Sequence, residues 1–183
     1  MSYSVYFFAM DANRLAGQFT AERRSLLDRT EHRIREENQF AEEDIQSTMV
    51  NAASICEGRL PEDCDPEYFY ALCWLAEVAS EKVNIGSFLG LRHLSFLEET
   101  SIWPWMSRHP APFPVPHNDE SCPAVGFFPM ADMEAFLALP ESVRLPPSED
   151  RDVLNARDEF CDVLETLIRD RLDLLAVLLY GGP

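Results

Sequence analysis

The sequence predicts an α+β fold, predominantly helical, with a small sheet made from the two ends of the chain. Three observations carry this. Residues 3–10 and Leu174 to Tyr180 are nearly continuous apolar, β-branched or aromatic runs, as strands buried on both faces are. Most of the chain between them repeats apolar residues at helical spacing. A third apolar run, Ala124 to Phe128, is short enough to add one middle strand. Strands in isolation are marginal, so helices must cover the sheet. The chain has 183 residues and reads as one domain over 1–183.

The elements follow in order. Asp11 caps a short helix after the first strand, running to about Gln18. Thr20 to about Gln39 is a second helix with a thin apolar stripe of Leu26, Leu27 and Ile34 and charges of alternating sign. Glu42 to Cys56 is a third, with an apolar face of Ile45, Met49, Ala52, Ala53 and Cys56. Its Glu42, Glu43 and Asp44 occupy the N-terminal turn, where anions are stabilised. Gly58 to Cys64 is a turn.

Asp65-Pro66-Glu67 opens a helix to about Ser80: a capping carboxylate, proline at the first helical position, then an acid. This helix is apolar nearly all round and should be the most buried. Residues 83–90 connect to another helix, about Phe88 to Glu99, that buries Leu91, Leu94 and Leu97. From about 104 to 129 lie seven of the thirteen prolines, and this segment reads as irregular, without regular helix. Its last strand leads into a helix from Met130 to Leu139, and Pro140 to Pro147 is a loop. Ser148 caps the last helix, with Glu149 and Asp150 in its first turn and Glu165 and Arg169 spaced as an i,i+4 pair.

Three of these features together resemble the YfbM-like family of uncharacterised bacterial proteins. They are the strand Met1-Ser2-Tyr3-Ser4-Val5-Tyr6 running into a helix after Asp11, Val125-Gly126-Phe127-Phe128-Pro129 running into Met130-Ala131-Asp132-Met133-Glu134-Ala135-Phe136-Leu137, and a long C-terminal helix ending in an apolar strand. The proline segment departs from that pattern. The resemblance implies a small α+β fold and a bacterial origin, and no activity or functional residue.

Charge is the outstanding property. Acids number 32 and bases 15, for a net charge of -17. The surplus grows along the chain: residues 111–183 hold 14 acids and 5 bases. Such a field repels nucleic acid and anionic membranes and attracts a basic protein partner. Solubility alone is the plainer account of it. No basic segment precedes an apolar one at the start, and the longest apolar run is too short to cross a bilayer. Five scattered cysteines of odd count do not make a disulfide framework, and with these features they place the chain in a reducing cytoplasm.

No motif names a reaction. Phosphate-binding glycine loops, a nucleophile elbow, a zinc-protease helix and paired C-x-x-C spacings are all absent from the sequence. No cofactor is expected. Two readings remain. The favoured one is a non-enzymatic, acidic protein-binding module of the immunity or antitoxin type. Its candidate interaction surface is Trp103, Trp105 and Phe113, since aromatic side chains anchor interfaces. Alternation along Pro110 to Pro116 sends Ala111, Phe113 and Val115 to one side, which equally suits a loop pinned to the core. The alternative is a small hydrolase or metal-dependent enzyme using His109, His117, Asp119 and Glu120, with Cys122 nearby, all of them residue types that ligate transition metals. A solvated loop is the simpler reading of that cluster. A homo-oligomer joined through the Trp103–Phe113 face is the third arrangement.

Overall fold

In the computed structural model, residues 3–37, 40–61, 66–80, 102–116, 125–144 and 151–180 are described. The ends of the chain meet as expected. Strand β1 (Tyr3–Met10) pairs antiparallel with β3 (Asp173–Tyr180) along its whole length, from Tyr3 opposite Tyr180 to Met10 opposite Asp173. The middle strand β2 (Val125–Phe128) joins the other edge of β3, with Val125 opposite Val177 and Phe128 opposite Leu174. The order is therefore β1-β3-β2, with the C-terminal strand central.

That position explains the apolar run in β3. Side chains alternate between faces along a strand, and here both faces are covered. Phe8, Met10, Phe127, Leu175 and Val177 point into one core, and Phe7, Ala9, Phe128, Leu174 and Ala176 into the other. Leu174, Leu175, Ala176 and Val177 are all fully buried. Each large side chain so buried stabilises the fold by about 1.5–3 kcal/mol relative to leaving it exposed.

The first core is closed by α1 (Ala12–Thr20), α2 (Arg23–Glu36), α3 (Glu42–Cys56) and α4 (Pro66–Ala79). Helix α4 touches β1 and β3 on one side and α2 and α3 on the other. A helix sandwiched that way has no wet face, and Phe69, Ala71, Leu72, Leu75 and Ala76 are fully buried. Its capping Asp65, and the carboxylates of 62–65, lie outside the described residues. The buried face of α3 is turned slightly from the expected one: Asn51 and Ile55 join Ile45, Ala52 and Cys56, while Met49 and Ala53 are half-buried.

The second core is closed by α5 (Ile102–Met106), α6 (Met130–Leu137) and α8 (Arg151–Asp170), with the short α7 (Glu141–Arg144) before α8. Phe160 of α8 meets Phe7 of β1 edge-on, with ring centroids 6.0 Å apart. Leu164 and Leu167 follow it into the core.

Several expectations are corrected. The proline segment does begin with helix: α5 contains Pro104 as its third residue. First-turn amides have no partner within a helix, so proline removes nothing there. The expected loop after Pro140 holds one helical turn, because the Pro140 carbonyl accepts from the Val143 and Arg144 amides. Helix α1 runs past Gln18 to Thr20, whose hydroxyl donates back to the Gly17 carbonyl, so α2 starts only at Arg23. Arg169 lies 3.5 Å from Asp170 instead of pairing with Glu165. The connector at 83–90, the helix at 88–99 and the Ser148–Asp150 cap lie outside the described residues.

Candidate functional site

Three regions carry the polar chemistry of the described residues. The first is the end of the sheet where β1 and β2 finish and β3 begins. Two helices start there, α1 after β1 and α6 after β2. Their first amides both donate to one side chain: Met130 N to Asp173 Oδ1 at 3.0 Å, and Ala12 N to Asp173 Oδ2 at 3.3 Å. Helix N-termini favour anions, and Asp173 supplies one to each. A carboxylate of the central strand thus ties the two helical layers together. Asp11 caps α1 independently by accepting from Arg14 N at 2.9 Å.

The second region is a cleft of about 390 Å³ between the segment after α5 and the strand β2. It is lined by Met106–Ala111, Val115, Pro116, Val125 and Phe127. Arg108 stacks over the Trp105 ring, 3.5 Å from its centroid. His109 places Nε2 3.1 Å from Asp132 Oδ2. That approach lacks hydrogen-bond alignment, and Oδ2 is buried without a hydrogen-bond donor. The contact is therefore one of proximity, and the first turn of α6, where Asp132 sits, offsets the carboxylate. A wider depression of about 700 Å³ over the start of α2 is shallow and mixed in charge, lined by Glu22, Asp28, Arg24, Arg29 and His32. Nothing in it converges on a point.

The third region is the charged surface, which differs between the two layers. On α2 to α4 the arginines gather acids. Arg33 lies 2.7 Å from Glu37 and 2.8 Å from Glu77, Arg35 spans Glu31 and Glu42 at 2.8 and 2.7 Å, and Arg23 meets Glu57 at 2.9 Å. The Arg35 hydrogen bonds hold the Glu42 carboxyl down at about 2, and those to Glu42 and Glu31 push the guanidinium up. On α8, Glu159, Asp162 and Glu165 are exposed, and no basic side chain among the described residues pairs with them.

Of the residues singled out in the sequence, the described ones are not brought together. Phe113 is buried against Phe19 and Phe127, and Ala111 and Val115 pack beside it on the α1–α4 side. The expected alternation holds, and it turns these side chains inward. Trp105 lies on the other face of the sheet against Phe128 and Phe136. The Trp103 side chain lies outside the described set. His109 faces Asp132; His117, Asp119, Glu120 and Cys122 are outside the described residues. No group of three metal-ligating side chains occurs among those described. Sequence reading missed Asp173 and Asp132, because partners far apart in the chain leave no local signature.

Cysteine chemistry is suppressed at two positions. Burial pushes the Cys73 thiol far up, with Glu77 adding to it. Burial also raises Cys56 to about 11. Both behave as small apolar side chains.

A family model described as a domain of unknown function (DUF7691) matches residues 1–179. The chain belongs to that family. The match takes in all three strands up to the last residue of β3, so both layers and the sheet end around Asp173 are parts of the family's domain. No curated protein and no solved structure matches the chain. No helix among the described residues is long and apolar enough to cross a membrane.

Proposed function

We propose that the protein is a non-enzymatic, acidic binding module that docks a basic protein partner through the outer face of α8. The observation that carries this is the exposed row of Glu159, Asp162 and Glu165, with which no basic side chain among the described residues pairs, set against a layer where arginines hold five of the acids. Long-range attraction of opposite charge speeds encounter and rejects wrong partners. An inhibitor of the immunity or antitoxin kind, in a bacterial cytoplasm, fits that chemistry. So does the absence of nucleic acid or membrane from the partners expected. The resemblance to YfbM-like proteins is part of the same proposal.

The test is affinity capture from a bacterial lysate at low and high salt, followed by measurement of the purified pair. A basic protein should bind at low salt, and its affinity should fall as salt rises. No partner at low salt contradicts the reading.

A second reading, a hydrolase or metal-dependent enzyme, rests on His109 standing beside Asp132 at the mouth of the cleft. It predicts that zinc binds to the full chain and that His109→Ala weakens it. Equal zinc binding by the two proteins ends that reading.

A further inference from the structure

The cleft beside β2 has a chemistry that neither reading uses. Its floor is apolar, made by Met106, Val115, Val125 and Phe127, and its mouth carries Arg108 and His109. No carboxylate lines it among the described residues, in a chain where acids outnumber bases two to one. Asp132 lies against His109 and at the N-terminal end of α6. Arg108 has no carboxylate partner among the described residues. Its guanidinium lies over the Trp105 ring, which restrains it while leaving its outer N–H groups to donate to two oxygens. Stacking of this kind lowers the cost of ordering the side chain when a ligand arrives.

We infer that this cleft binds a small organic monocarboxylate with an apolar body about the size of one ring. The carboxylate pairs with Arg108 at the mouth, and the body lies on Phe127, Val125 and Val115. At about 390 Å³ the cleft is at the small end of the range for ligand sites, roughly 300–1,000 Å³. Charge selects the ligand's head: an anion is repelled by most of this surface and is met by a cation here. The apolar floor selects its body, since it offers a polar group no partner.

Phenylacetate is the probe, with phenylacetamide as its uncharged counterpart and acetate as its counterpart without a ring. Binding is followed by amide chemical shifts on the full chain. Phenylacetate should saturate shifts at Ser107–His109 and Val125–Phe127. Phenylacetamide and acetate should each bind at least about tenfold more weakly, equivalent to about 1.4 kcal/mol. Arg108→Gln should lose about the same factor, and Arg108→Lys should recover part of it. Arg108 is exposed, so the Gln variant should keep the wild-type spectrum elsewhere, which separates lost binding from lost folding. The inference is overturned if those amides do not shift saturably, if the amide binds as well as the acid, if acetate matches phenylacetate, or if Arg108→Gln binds unchanged.

Discussion

On one side of the sheet, Arg23, Arg33 and Arg35 hold Glu31, Glu37, Glu42, Glu57 and Glu77 in ion pairs. On the other, α8 presents Glu159, Asp162 and Glu165 to solvent with no basic partner among the described residues. Both layers are built on fully buried apolar side chains, Leu72 and Phe69 in one, Leu164 and Phe136 in the other. Exposed ion pairs contribute about 0–1 kcal/mol each, so the arginines of the first layer are not what holds it together. The difference bears on what approaches each face. Three arginines neutralise part of the charge of five glutamates in the first layer, whereas no described base neutralises the α8 row, and both layers add to a total of -17.

The largest effects should come from the cores, and they probe whether the two layers are one folding unit. Leu72→Ala and Leu164→Ala remove fully buried side chains, and each should cost about 2–5 kcal/mol. Because β3 packs on both layers, each variant should lower the midpoint of a single urea transition. Two separated transitions would show that the layers unfold independently and would break the comparison at its base.

Asp173 is the next test, since it caps a helix in each layer. Asp173→Ala strips an acceptor from two helix N-termini and should cost about 1.5–3 kcal/mol. Asp173→Asn keeps one acceptor oxygen and should fall between. A loss confined to one layer, read by hydrogen exchange of α1 against α6 amides, would mean that the bridge does not couple them.

The ends of α3 and α8 form a matched pair. Both close with the same hydrogen bonds: Gly58 N to Ile55 O and Arg59 N to Ser54 O in α3, Arg171 N to Ile168 O and Leu172 N to Leu167 O in α8. The residue in the left-handed conformation is Gly58 in one (φ 68°) and Arg171 in the other (φ 58°). Arg171→Gly should therefore stabilise by about 0.5–1 kcal/mol in thermal unfolding, and Gly58→Ala should destabilise by about 1 kcal/mol. A Cβ at Gly58 would meet only Pro114 Cγ at 3.8 Å, so the cost lies in the backbone. Opposite signs would refute this account of the caps.

The smallest effect concerns pH. Arg35 holds Glu42 at about 2, below its ordinary 4.5. A carboxyl depressed on folding contributes stability above its ordinary value, and that contribution is lost as pH falls from about 4.5 to about 2. Glu42 is fully exposed, so solvent screening keeps the effect slight. Glu42→Gln should flatten the fall in stability across that window. An unchanged slope would mean the pair does not persist in solution.

These contrasts show why parts of the molecule could be read in the sequence and parts could not. The terminal strands, the Asp11 cap, the limits of α3 and the burial of α4 are written in local chemistry: apolar runs, a capping carboxylate, proline at a helix start. Gly58 marks its turn for the same reason. Arg171 occupies an equivalent conformation with no glycine to signal it. Pro104 argued against a helix that begins two residues earlier and so never needs its amide. Asp173, just before the Leu174 to Tyr180 run, carries no local signal of its role, because its partners Ala12 and Met130 lie 161 and 43 residues away. The Trp105–Phe113 surface failed as a single patch for a related reason. The two side chains are close in sequence and separated by the sheet.

The most direct test of the central claim compares two charge changes of similar size. One protein carries Glu159→Gln, Asp162→Asn and Glu165→Gln on α8; the other carries Glu31→Gln, Glu37→Gln and Glu42→Gln in the arginine-matched layer. Both should fold, with stability within about 0.5 kcal/mol per substitution of wild type. Affinity for the captured basic partner is then measured by calorimetry at low salt. The account predicts a loss of about tenfold or more for the α8 variant and a clearly smaller loss for the other. Equal losses, or an α8 variant that binds like wild type, would contradict it.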